Sequence, residues 1–191
     1  MRIISGTHRG RTIEAPDWPG LRPTSDKLRE TLFNILAPKI VGASMLDACA
    51  GSGAVGLEAL SRGAAHVTFV ERDPRAVGLI ERNVTRCGMA DRCAIIRADL
   101  GHTTARVPHQ AYDLIFLDPP YDTEPEAVAR VVGEWLHPDG SLIVEHARRR
   151  TLPETIDGLR RVRHLLSGDS ALGFYVRESD QAGTAPAEGD E

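Results

Sequence analysis

The sequence predicts an α/β fold, a mixed seven-stranded sheet with helices on both faces, plus a small N-terminal hairpin and helix. Three observations predict it. From about residue 44, apolar strand-like runs alternate with helix-length segments. A glycine-rich turn, Gly51–Gly56, joins the first of those runs to its helix. Two strand-like runs near the end, 160–166 and 172–177, are linked only by Ser167–Ala171. So short a link cannot make a parallel crossover, so these two are antiparallel neighbours.

The elements follow in order. Residues 2–14 read as a short hairpin, with turn chemistry at Gly6 and Gly10. A loop rich in Pro and Gly spans 15–23. Thr24 or Ser25 then caps a helix running to about Ala37, with Leu28, Leu32, Phe33, Ile35 and Leu36 on its apolar face and Pro38 marking its end. Met45–Cys49 is a first strand and Val55–Arg62 a helix stopped by Gly63. Val67–Glu71 is a second strand, and Pro74 opens a helix to about Cys87. Ala94–Arg97 and Tyr112–Asp118 are further strands, Glu124–Leu136 a helix, and Ser141–Glu145 a fifth strand. Right-handed crossovers put such strands in one parallel sheet. Five strands in this order closed by a terminal hairpin match the architecture of Rossmann-like class I methyltransferases. The organisation expected is residues 1–40 as a hairpin and helix extension, 41–178 as the methyltransferase-like domain, and 179–191 as a disordered acidic tail.

Composition sets the class. The chain has 191 residues, 41% hydrophobic and 26% charged, enough for one domain with a real core. No run approaches a membrane span and Met1–Gly6 lacks the apolar core of a signal peptide, so no membrane partner and a cytoplasmic location are expected. Cys49, Cys87 and Cys93 are an odd set without Cys-x-x-Cys spacing, which argues against disulfides and structural zinc; no metal is expected. The net charge of −4 is misleading. Residues 178–191 hold five acids and no Lys or Arg, and without them 23 basic residues face 22 acidic ones. The first thirteen residues carry Arg2, Arg9 and Arg11 and no acid.

Gly51, Gly53 and Gly56 satisfy the dinucleotide fingerprint, with Glu71 twenty positions beyond Gly51. Taken alone this motif also fits a nicotinamide oxidoreductase or a non-catalytic nucleotide-binding module. Two features point elsewhere. Asp47 precedes the glycines, where a carboxylate would repel a pyrophosphate but neutralise an ammonium such as that of S-adenosyl-L-methionine. The second is Asp118, Pro119, Pro120 and Tyr121 directly after an apolar strand. Paired prolines end a strand abruptly, so these residues project from its carboxyl end, where open α/β sheets bind ligands. A carboxylate, two rigid carbonyls and an aromatic ring there can hold a planar, amine-bearing base. In the methyl-donor reading Glu71 holds the ribose hydroxyls and Asp99 accepts from the adenine amine. Ala50, Ser52, Arg72, Leu100 and Thr24 complete the expected cofactor pocket.

With these motifs the chain resembles the RsmD-type bacterial methyltransferases of 16S ribosomal RNA. The resemblance rests on Arg2–Gly6, Arg9–Arg11, Leu21–Asn34, Leu46–Gly53, Gly56–Ala64 and Asp118–Tyr121, and spans nearly everything to about residue 177. It implies methylation of a guanine N2 amine, S-adenosyl-L-methionine as donor with S-adenosyl-L-homocysteine as product, and 16S rRNA in an assembling small subunit as partner. A monomer is expected. Asp118 and the Pro119 carbonyl would accept the amine's two N–H groups, Pro120 would stiffen the turn, and Tyr121 would stack on the base. Arg2, Arg9, Arg11, Arg22, Lys27 and Arg29 are the candidate RNA-phosphate contacts. Asp-Pro-Pro-Tyr also serves enzymes of this fold acting on DNA adenine or a protein glutamine, and that alternative stays open at this point.

Overall fold

The computed structural model describes residues 1–19, 24–100, 107, 111–120 and 123–178. Its strands are β1 (Ser44–Ala48), β2 (His66–Glu71), β3 (Cys93–Arg97), β4 (Tyr112–Leu117), β5 (Leu136–Ala147), β6 (Thr155–Ile156), β7 (Leu159–Ser167) and β8 (Ser170–Arg177). Its helices are α1 (Asp26–Ile40), α2 (Ala54–Ser61), α3 (Pro74–Cys87) and α4 (Pro125–Gly133). All eight strands form one sheet in the order β3-β2-β1-β4-β5-β8-β7-β6. The first five are parallel, and β8, β7 and β6 add antiparallel. Among the described residues the sheet therefore has eight strands where the sequence predicts seven. The extra one is β6, whose two residues are too few to leave a periodic signal.

Strand order reverses between β1 and β4, which leaves a crevice at the carboxyl ends of those strands. One face of the sheet packs on α1, α2 and α3 through Leu32, Phe33, Leu57, Leu60, Ile80 and Val84, against Met45, Phe69, Phe116 and Ile143 of the strands. The other face packs on α4 through Val128, Ala129 and Val132, joined by Trp135 and Leu136. Helices thus cover both faces.

Two boundaries shift. Helix α1 is capped by Ser25, whose hydroxyl accepts from the Leu28 N–H at 3.2 Å, and it runs through Pro38 to Ile40. Proline ends helices because it lacks an N–H and crowds the carbonyl four residues back. Here that carbonyl belongs to exposed Asn34, and buried Ile40 holds the last turn against the core. Helix α4 ends at Gly133, three residues before the predicted end, and β5 starts at Leu136. The Tyr112 N–H bonds to the Trp135 carbonyl at 2.8 Å, so the apolar pair Trp135 and Leu136 serves the sheet rather than the helix.

Residues 1–14 form a hairpin with a single bridge, Arg2 to Thr12. Ile3 and Ile13 are buried beneath it, each contributing roughly 1.5–3 kcal/mol. The anchor is Glu58 of α2, itself fully buried, whose carboxylate accepts from Ile4 N at 2.8 Å, Ser5 N at 3.0 Å and Arg62 Nε at 2.7 Å. Ser61 Oγ donates to the Ser5 carbonyl at 2.6 Å and accepts from His8 N at 3.0 Å.

Candidate active site

Four carboxylates rise from one face of the sheet because of strand periodicity. Met45, Phe69, Phe116 and Ile143 point into the core under α1, α2 and α3. Two residues further along each strand stand Asp47, Glu71, Asp118 and Glu145. A period of two returns them to the same face, now at the strand ends where the helices no longer cover it. All four line a single cavity of about 1090 Å³. That exceeds the roughly 300–1,000 Å³ of a usual small-molecule site and leaves room for more than one ligand.

The turn after β1 is built from backbone. Cys49, Gly51 and Gly53 all take positive φ, at 64°, 55° and 75°. The Ala50 N–H bonds back to Val70 O at 2.9 Å, and Gly53 N to Ala50 O at 2.8 Å. Cys49 is not glycine, so its left-handed backbone is strained and held by these bonds. At Gly56 a Cβ would lie 2.3 Å from the Phe69 ring, so only glycine lets α2 sit this close to β2.

Each acid is set differently. Asp47 is 1% exposed, and its Oδ2 accepts from Gly56 N at 2.8 Å. Burial raises its pKa to about 7, Glu71 adds to the rise, and the Gly56 bond opposes it. Glu71 accepts from Gly51 N at 2.8 Å on one oxygen, and from Arg72 N and Asp73 N at 2.8 and 2.9 Å on the other. Asp118 is half-buried; desolvation first, then Glu145 and Asp47, hold its pKa well above the carboxylate range. Asp99, past β3, lies 3.8 Å from Arg72 Nη1.

The structure gathers most of the predicted site. Thr24, Asp47, Ala50, Gly51, Ser52, Glu71, Arg72, Asp99, Leu100, Asp118, Pro119 and Pro120 all line the cavity, as does Lys27. Gly53, predicted to touch the cofactor, is not part of the wall. It supports the turn from behind, where a Cβ would meet Ile80 Cγ1 at 3.3 Å. Arg29 is a second correction. It is fully buried, donating to Asp26 Oδ1 at 2.5 Å and the Arg2 carbonyl at 3.1 Å beside Glu58, so it cannot meet phosphate. Arg11 is exposed, but its Nη1 donates to Cys87 O at 2.8 Å at the end of α3, where a cation complements the helix dipole. Arg2 and Arg9 are exposed on the hairpin. Tyr121 and Arg22 lie outside the described residues, as does the 179–191 tail.

Sequence reasoning missed part of the wall. Glu145 ends its apolar run as Asp47 and Glu71 end theirs, and that likeness was the available signal. Trp18 lines the cavity with the Arg75 guanidinium 5.3 Å from its ring centroid. His146, Arg149 and Arg150 close the far rim. These three follow Glu145 at and beyond the end of β5.

The model of the family described as "Conserved hypothetical protein 95" matches residues 1–176. The Escherichia coli (strain K12) protein named ribosomal RNA small subunit methyltransferase D is 38% identical over 184 residues, 94% of this chain and 91% of its own. This chain belongs to the RsmD-type methyltransferase family. The Haemophilus influenzae relative of the same name is 36% identical over 157 residues, 80% of this chain and 81% of the other. The solved structure of yhhF from Escherichia coli shares the family's architecture, with a TM-score of 0.81 at 34% identity over 94% of this chain and 98% of that one. The chain is thus a methyltransferase, and membership of the family implies use of S-adenosyl-L-methionine. No helix among the described residues is long and apolar enough to cross a membrane.

Proposed function

We propose that this RsmD-type enzyme methylates the exocyclic N2 amine of a guanine in 16S ribosomal RNA, with S-adenosyl-L-methionine as donor. One observation carries the reading: Asp118 and Asp47 share a cavity at the switch between β1 and β4. Asp47 is the register partner of Phe116, so Asp118 stands two residues, about 7 Å, further along β4. An acid suited to a cation and an acid suited to an amine face one space.

The residues fit the donor. Asp47 faces its ammonium, the backbone of Ala50, Gly51 and Ser52 makes a close approach possible, and Glu71 receives the ribose hydroxyls on the lone pairs its three N–H donors leave. Asp99 accepts from the adenine amine, with Leu100 beside it, and Thr24 lines the other end of the cavity by Glu145. When bound, the donor supplies an electrophilic methyl on a sulfonium.

An arylamine on guanine is a poor nucleophile because its lone pair is delocalised into the ring. The Asp118 carboxylate and the Pro119 carbonyl accept its two N–H groups and draw nitrogen towards tetrahedral geometry, aiming the lone pair along the line of displacement. This is orientation and electrostatics. Tyr121 would stack on a base taken out of its helix or loop. Exposed Arg2, Arg9 and Lys27 are placed to hold RNA phosphates without reading sequence.

The test uses the purified enzyme, methyl-labelled S-adenosyl-L-methionine and small-subunit particles from a strain lacking the gene. Mass mapping of digested rRNA should find the label in one N2-methylguanosine. Label in adenine or in protein, with none in guanine, would replace this reading.

A further inference from the structure

Asp118 has a neighbour at the reacting end of the cavity. Leu117 of β4 and Val144 of β5 are register partners, so the next residues, Asp118 and Glu145, lie opposite each other on adjacent strands. Parallel neighbours sit about 5 Å apart, and both side chains leave the sheet on the same side. Both line the cavity, and Glu145 is only 8% exposed. The Thr24 hydroxyl donates to Glu145 Oε2 at 3.4 Å, which fixes that oxygen against the segment leading into α1. Two carboxyl groups this close in a desolvated wall resist being ionised together.

We propose that Glu145 is a positioning residue for amine methylation, forming with Asp118 a carboxyl pair whose reactive form is ionised and which takes up one proton in the reaction. The proposal rests on the amine-methylating reading above. Nitrogen's lone pair forms the new N–C bond as the methyl's bond to sulfur breaks, with that electron pair staying on sulfur. One N–H bond of the methylated nitrogen then breaks, its electrons return to nitrogen, and its proton passes to Asp118. Glu145 acts through Asp118: its charge raises the affinity of that oxygen for the arriving proton, and the pair releases the excess proton to water at the cavity mouth.

Other charges face the pair. Asp47 from β1 and Glu71 from β2 add negative potential, Lys27 from α1 and Arg149 beyond β5 add positive, and His146 follows Glu145 on β5. Burial and Glu145 are the two largest causes of the raised Asp118 pKa, ahead of Asp47. Replacing Glu145 with a neutral side chain therefore lowers the pKa of Asp118, and its carboxylate persists to lower pH.

Two measurements decide it. The first follows the side-chain carboxyl carbons by NMR across pH in the protein without donor or RNA. Wild type should show Asp118 and Glu145 titrating together in two steps, and Glu145→Gln should show one Asp118 step moved down by about one pH unit. Independent single steps in wild type, or an unmoved Asp118 in the variant, would overturn the proposal. The wild-type curve decides even where the variant does not fold. The second is the pH–rate profile. Glu145→Gln should shift the acid limb to lower pH and cut the maximal rate ~10-fold or more at unchanged donor affinity, while Glu145→Asp keeps the wild-type limb. A wild-type profile for Glu145→Gln sinks the pairing. If guanine proves not to be the substrate the carboxyl titration still reads out, so failure of the function and failure of the pair are separable.

Discussion

The Glu71 carboxylate accepts a hydrogen bond from the Gly51 N–H at 2.8 Å, joining the end of β2 to the turn that follows β1. One acid thus fixes the backbone of the glycine turn and faces the cavity. Glu71→Ala removes a charged acceptor from three N–H groups at once. Donor affinity should fall at least ~10-fold by calorimetry, because bonds to charged groups contribute about 1.5–3 kcal/mol each. An unchanged dissociation constant would remove Glu71 from the site.

In the proposed reaction Asp118 acts on the amine rather than on the donor. Asp118→Asn should lower the methylation rate about 100-fold or more while leaving donor affinity within a factor of about two. The check is single-turnover methyl transfer beside calorimetry on the same preparation.

With Asp47 against the donor's ammonium as proposed, donor binding should depend on pH. With its pKa near 7 in the free protein, the group is part protonated at neutrality. An ammonium beside it favours the carboxylate, so binding expels the proton. Affinity should rise with pH up to about 7 and fall ~10-fold for each unit below it. Calorimetry in buffers of different ionisation enthalpy should show proton release, and Asp47→Asn should abolish both the release and the slope.

Arg2 and Arg9 differ in kind from Arg29. Arg2→Ala and Arg9→Ala should each weaken RNA binding and reduce the log–log salt slope by about one, because exposed guanidiniums displace counterions. Arg29→Met should leave that slope alone. Binding titrations at several salt concentrations separate the two.

Glu58 is a stability residue. Glu58→Ala takes from buried Arg29 one of its two carboxylate partners, leaving only Asp26, and frees the N–H groups of Ile4 and Ser5. Breaking a buried pair from one side costs about 3–5 kcal/mol. Denaturant unfolding should show this as a lower midpoint.

The sheet was legible because its signals are local. Apolar runs end at Asp47, Glu71 and Asp118, glycines mark the turn, and Pro74 opens α3 where the sequence predicts. What escaped depends on pairing between distant segments. Strand β6 exists because Thr155 and Ile156 meet Arg160 and Leu159, and no periodicity fits in two residues. Arg29 reads as a surface cation by type, and only the meeting of α1 with α2 reveals its burial. Glu145 follows its apolar run as Glu71 and Asp118 follow theirs, yet its value lies in facing Asp118 across the β4–β5 register, which sequence does not display.

Helix α2 has eight residues and every one is buried. The glycine turn opens it, and Glu58 and Ser61 near its other end clamp the hairpin. A side chain enlarged anywhere on this rod has no free direction in which to swing. Saturation mutagenesis scored by protein abundance should therefore return positions 54–61 as an unbroken block of intolerance, with damage at either end felt at both the donor turn and the hairpin.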